Sequence, residues 1–196
     1  MKSFTLNQIL AAMNRLGYQV FEADTAPHNL NLVGIRSATK VPNLFNDQLW
    51  VFWHDKGNWV PKGFPLTTDP GLYWLEHPEN INGTAIVKPG QYLNIWEIGL
   101  HKGQYEALVQ VGPCTVIRDY NRDDKLDYNS GREESGVFGI NLHHAGDGSQ
   151  TVDKWSAGCQ VLQNLSDYYQ LREIWRQARN VWGNSFSYTL LREEEI

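Results

Sequence analysis

Apolar residues first recur at helical spacing, as Leu6, Ile9, Leu10, Met13 and Leu16, and Gly17 stands where such a helix stops. This pattern predicts an amphipathic helix over residues 5–16, covering one side of a core or, alternatively, meeting a partner. From Leu30 to Ala107 the period shortens. Short β-rich runs alternate with Pro, Gly, Asn and Asp, and Leu49–Trp53, Leu72–Leu75, Gly83–Val87 and Leu93–Ile98 each read as a strand. Ala107–Val111 and Thr115–Arg118 add two more across Gly112-Pro113. Phe138–His143 alternates, so that Phe138, Ile140 and Leu142 share one face and His143 takes the other. Tyr168, Leu171, Trp175, Ala178 and Trp182 return to helical spacing, predicting a helix over 166–182 with Asn164 or Ser166 as its N-cap and Gly183 as its stop. Ser185–Leu191 closes the chain as a last strand before a tail, Arg192–Ile196, expected to fray. The expected class is mainly β with flanking helices, an α+β protein.

Composition narrows this further. With 196 residues, 41% hydrophobic and 12% aromatic, the chain can bury the core of one domain, residues 1–196, and no repeat or low-complexity tract marks a second. The net charge of −5 and the lack of a Lys/Arg cluster argue against nucleic-acid binding, which works by neutralising phosphates. Asn7 and Gln8 interrupt the apolar N-terminal stretch, so no secretory signal is expected. No apolar run reaches the roughly 20 residues that span a bilayer. A soluble protein made in the cytoplasm is the expectation, with its oligomeric state open.

The candidate chemistry lies between Gly139 and Val161. His143-His144 precedes Ser156-Ala157-Gly158-Cys159. A thiol attacks a carbonyl only as thiolate, so a nucleophilic Cys159 needs a base, His143 or His144, and amides to receive the oxyanion. The turn supplies the Gly158 and Cys159 N–H groups, while Ser156 either helps hold the oxyanion or braces the turn. A disulfide to Cys114 is not expected, since Cys114 sits in a strand-like run that reads as core and the bridge would consume the nucleophile.

Leu142-His143-His144 with Ser156-Ala157-Gly158-Cys159 resembles the signature of the L,D-transpeptidase catalytic domain, the YkuD-like family. Asp47–Phe52 resembles that family's opening strand, and Phe64–Trp74 is similar to its Thr-Pro-X-Gly-X-Tyr/Phe segment, so the likeness covers about residues 45–165. It implies a β-sandwich or barrel with an N-terminal helix and a helix after the cysteine. It also implies a thioester acyl-enzyme formed on peptidoglycan stem peptides. No cofactor is required for that catalysis. The family places an apolar residue and then Arg or Asn after the cysteine, whereas this chain has Gln160 and Val161. A peptidoglycan hydrolase of phage-type or L,D-peptidase kind, reaching the wall by release or by another export route, is therefore an alternative. A noncatalytic cell-wall-binding module is a further one.

His144, Gln160, His101 and Asn141 are candidates for holding the substrate. Trp50, Trp53, Trp59, Trp74 and Trp96 offer either groove walls or core. Asp119, Asn121, Asp123 and Asp127 place oxygen ligands as at the start of a calcium loop, although Asp124 stands where the EF-hand turn needs Gly and Ser130 where it needs Glu. A structural calcium and a solvated acidic turn are both open. In that scheme Glu133 or Glu134 would supply the missing carboxylate. Zinc held by His143, His144 and Cys159 is disfavoured, since adjacent strand residues face opposite ways.

Overall fold

The computed structural model describes residues 2–196. Helix α1, Leu6–Arg15, starts at Thr5, whose hydroxyl accepts the Gln8 N–H while the Gln8 side chain caps Thr5 in return. Its buried face, Ile9, Ala12 and Met13, lies on Val33 and Ile35 of β1 (Asn31–Arg36) and Phe52 of β2 (Asp47–Asp55). Leu32 of β1 faces the other way, into the main core, so this strand is covered on both sides.

Eight strands close a barrel in the order β1, β11 (Phe186–Arg192), β5 (Gly90–His101), β6 (Tyr105–Gln110), β9 (Leu142–His144), β10 (Gln160–Leu162), β3 (Asn58–Thr67) and β2. Most pairs are antiparallel, but β1–β11 and β9–β10 run parallel. A separate sheet holds β4 (Thr84–Val87), β7 (Cys114–Asp119) and β8 (Glu133–Gly136). Two sheets with helices at their flanks make the protein mainly β, of α+β type.

Helix α3, Leu165–Trp182, buries Tyr168, Leu171, Trp175 and Ala178 in the barrel core. Glu106 on β6 anchors it, receiving Trp175 Nε1 at 3.0 Å and Arg176 through both carboxylate oxygens. Asn164 holds the N-cap position, but its side chain donates to Asp167 rather than bonding the helix backbone.

Several expectations need correction. Leu72–Leu75 is not a strand but the start of a short helix, α2 (Leu72–Glu76), which Gly71 begins and which buries Leu75 against Ile86 and Leu126. The two strands expected across Gly112-Pro113 do form, β6 in the barrel and β7 in the small sheet, and the turn carries the chain between them. A side chain on Gly112 would strike the Asn94 carbonyl, 2.7 Å from where its Cβ would sit. Phe138–Asn141 lies outside β9, with Gly139 at φ 78°, although Ile140 and Leu142 do enter the core as the alternation predicts. The C-terminal tail forms a 3-10 turn rather than fraying, because Glu195 takes the Arg192 guanidinium at 2.8 Å and Ile196 packs beneath α1. Among the described residues, no helix is long and apolar enough to cross a membrane.

Candidate active site

The parallel pairing of β9 and β10 builds the site. Gln160 lies opposite Leu142, Val161 opposite His143, and Leu162 opposite His144. Leu142 and Leu162 point into the barrel core, so alternation turns Cys159, Val161 and His143 to its outer face. There the barrel meets the small sheet. A cleft of about 600 Å³ opens between them, with Cys159, His143, His101 and Asn141 on the barrel side and Thr84 and Arg118 opposite.

His143 is buried, and its Nδ1 lies 2.9 Å from the His144 carbonyl and 3.1 Å from the Tyr105 hydroxyl. A carbonyl only accepts, so Nδ1 carries the proton and Nε2 keeps its lone pair. Nε2 is buried without a hydrogen-bond partner. His101 stacks on this ring, with centroids 4.0 Å apart and planes inclined by 23°. Asn141 fixes His101 in turn: its Oδ1 accepts the Gln110 N–H at 2.9 Å, which directs its Nδ2 to His101 Nδ1 at 3.0 Å. Burial, and then His101, pushes the His143 pKa down to about 3; burial, and then Lys102, pushes His101 down to about 4. Both rings are neutral near pH 7.

Cys159 is a half-buried free thiol. Its Sγ donates to the Gly139 carbonyl at 3.4 Å and accepts the Asn141 N–H at 3.5 Å, and it bonds neither imidazole. Burial raises its pKa to about 11, so the resting group is a thiol. Gly158 holds φ 124°, and a Cβ there would lie 2.5 Å from the Ala85 carbonyl oxygen, so only glycine fits before the cysteine.

Ser156 is fully buried and braces the turn: it accepts the Gly158 N–H at 3.1 Å and donates to the Cys159 carbonyl at 2.8 Å. This corrects the expectation that Gly158 offers its amide to an oxyanion, because that N–H is already used. Among the described residues, the Cys159 N–H makes no hydrogen bond within the chain.

The candidates for substrate contact divide. His101 and Asn141 line the cleft. Gln160 does not: it is fully buried, accepts the Tyr188 hydroxyl at 2.7 Å and donates to the Gly158 carbonyl at 3.3 Å. His144 packs between Tyr105 and Tyr168, each with its centroid 4.4 Å away, on the side opposite His143. Of the five tryptophans considered for the groove, only Trp74 reaches this cleft; Trp53 and Trp96 are core, and Trp50 and Trp59 lie beneath α1. Trp155, Lys102, Lys154 and Glu79 also line the cleft. Lys102 follows His101 in the segment His101–Tyr105, which the sequence offers as a groove wall, whereas Glu79, Lys154 and Trp155 lie in a bend and a short 3-10 turn with no periodic pattern to set them apart. Lys102 does take a left-handed φ of 50° beside Gly103, the mark of a tight hairpin.

Among the described residues, no three His, Cys, Asp or Glu groups converge to hold a metal. Comparison of the chain with protein-family models, curated proteins and solved structures gives no match.

Proposed function

We propose that the protein is a cysteine acyl-transfer enzyme of the L,D-transpeptidase kind, acting on peptidoglycan stem peptides. The observation that carries this reading is that Cys159 and His143 line one cleft, with His143 Nε2 unpartnered and its tautomer set for a base. The barrel, with helices before it and after the cysteine, agrees with the fold that the motif resemblance implies.

In this mechanism the thiol leaves the Gly139 carbonyl and gives its proton to His143 Nε2 as sulfur attacks the peptide carbonyl. Proton transfer accompanies attack, because a lone thiolate or imidazolium is disfavoured in so buried a site. The C–S bond forms, and the carbonyl π electrons move to oxygen, to which the Cys159 N–H donates a hydrogen bond. Collapse of this intermediate breaks the C–N bond, and the imidazolium protonates the departing amine. The thioester left on Cys159 then passes to an amine, giving a cross-link, or to water, giving hydrolysis. His101 and Tyr105 act as positioning residues for His143. The cleft's aromatic walls and its mixed charges, Lys102 and Lys154 with Glu79, suit a peptide that carries both carboxylate and amine. The proposal includes delivery to the wall by release or by export.

Digestion of purified peptidoglycan followed by mass spectrometry tests this. New cross-links support the transferase, and smaller muropeptides support the hydrolase of the same chemistry. No change, with Cys159→Ala indistinguishable from wild type, favours a noncatalytic wall-binding module.

A further inference from the structure

Strand β7 ends on Asp119, which is fully buried. Its Oδ2 accepts the Asp127 N–H at 3.0 Å, so the carboxylate faces the loop that follows. Its Oδ1 is also buried and has no hydrogen-bond partner. Leaving a buried acceptor unpaired costs about 1–3 kcal/mol, and more for a charged one. Within the same loop, the Asn121 amide nitrogen donates to Asp123 Oδ2 at 3.1 Å and to Asp127 Oδ2 at 2.8 Å. Two carboxylates thus converge on one amide edge, and the third is tied to them through the Asp127 backbone. In the loop as it stands, the three carboxylates do not meet at one point.

The ligand atoms on offer are all oxygens, which suits a hard cation with a flexible shell. The loop is not an EF-hand. Its left-handed residue is Arg122, at φ 58°, rather than Asp124. Glu133 and Glu134 do not serve it either, because they pair with Lys88 and Arg118. Without a bidentate glutamate, affinity belongs at the weak end of the range for calcium loops.

We propose that Asp119, Asp123, Asp127 and the side-chain oxygen of Asn121, once its amide rotates, bind one calcium ion. The site is independent of the acyl-transfer reading. It lies where a cation would brace the cleft wall. Leu126 packs on Leu75 of α2, and the next residue but one, Tyr128, donates to Asp69 Oδ2 at 2.7 Å. Asp69 stands 3.0 Å from Arg36 Nε, and the Gly71 N–H donates to the Ser156 carbonyl at 2.8 Å. The loop is therefore connected to α2 and to the foot of the cysteine turn.

The test is calorimetric titration of the chelator-treated full chain with calcium chloride, alongside thermal unfolding. The expected result is one equivalent bound with a Kd of about 10⁻⁵–10⁻³ M and a rise in Tm of about 3 °C or more at saturation. Asp123→Asn and Asp127→Asn, both at partly exposed positions, are expected to weaken binding at least about tenfold while keeping the wild-type Tm in chelator. Absence of heat and of any Tm shift at about 10 mM calcium overturns the proposal. So does unchanged binding in both variants, and equal binding of magnesium overturns the choice of ion.

Discussion

The two cysteines occupy two different kinds of place. Cys114 opens β7 inside the main core, with Gln110 Nε2 donating to its sulfur at 3.3 Å. Cys159 lies at the cleft, on the strand face it shares with His143. Burial raises both thiols to a pKa of about 11. Acidity therefore does not separate them. What separates them is access and a neighbouring base: one sulfur is enclosed in the core beside an amide that can only donate to it, while the other shares a cavity with an imidazole nitrogen that has no other partner. A nucleophile with a high resting pKa works only if its proton leaves as the new bond forms, and Cys159 alone has a candidate to take it.

The sharpest way to break this contrast is substitution at both thiols. Cys159→Ala is expected to lower turnover of peptidoglycan fragments at least about 10³-fold, whereas Cys114→Ala stays within about threefold and costs only about 1 kcal/mol of stability. Muropeptide mass spectrometry and urea unfolding report the two. Equal losses would erase the distinction.

The adjacent histidines repeat the contrast on a smaller scale. His143→Gln is expected to reduce kcat by about 10²–10⁴-fold, and His144→Gln by no more than about tenfold, measured on the same fragments. His143 also has a stability signature. Its folded pKa of about 3 lies below the ordinary 6.5, so the unfolded chain takes up this proton first. Its penalty is absent above about pH 6.5 and grows as pH falls toward about 3. Urea unfolding should therefore show wild type losing ground to His143→Gln between pH 7 and pH 4.5, with roughly one factor of ten in the folding constant per pH unit once below the ordinary value. The opposite trend would mean that His143 is charged in the folded protein.

Gln160 gives the smallest effect. Gln160→Leu leaves the Tyr188 hydroxyl buried without its acceptor and should cost about 1–3 kcal/mol of stability, while Cys159 chemistry survives in the folded fraction. Loss of turnover without loss of stability would return Gln160 to the substrate.

Both long helices were legible in the sequence, because Leu6–Leu16 and Tyr168–Trp182 repeat apolar residues at helical spacing and Gly17 and Gly183 mark their ends. Helix α2 was not legible. Tyr73 and Trp74 favour strands, and the helix buries Leu75 against Ile86 and against Leu126, 51 residues away, contacts that no local pattern announces. The opposed directions of His143 and His144 followed from strand alternation alone. The inward direction of Gln160 did not, because it depends on parallel pairing with β9 and on Tyr188 from the last strand. Likewise, the Gly158 amide looked free for an oxyanion until the geometry showed Ser156 using it. The motif singled out Cys159 and His143 as candidates, and nonlocal contacts decide which side chains line the cleft with them.

The most direct test of the central claim is intact-protein mass spectrometry after mixing the protein with a peptidoglycan stem tetrapeptide, followed by peptide mapping. The account predicts an acyl adduct on Cys159, joined as a thioester, absent from Cys159→Ala and formed far more slowly in His143→Gln. An adduct on Cys114, or catalytic turnover with no dependence on Cys159, would contradict it.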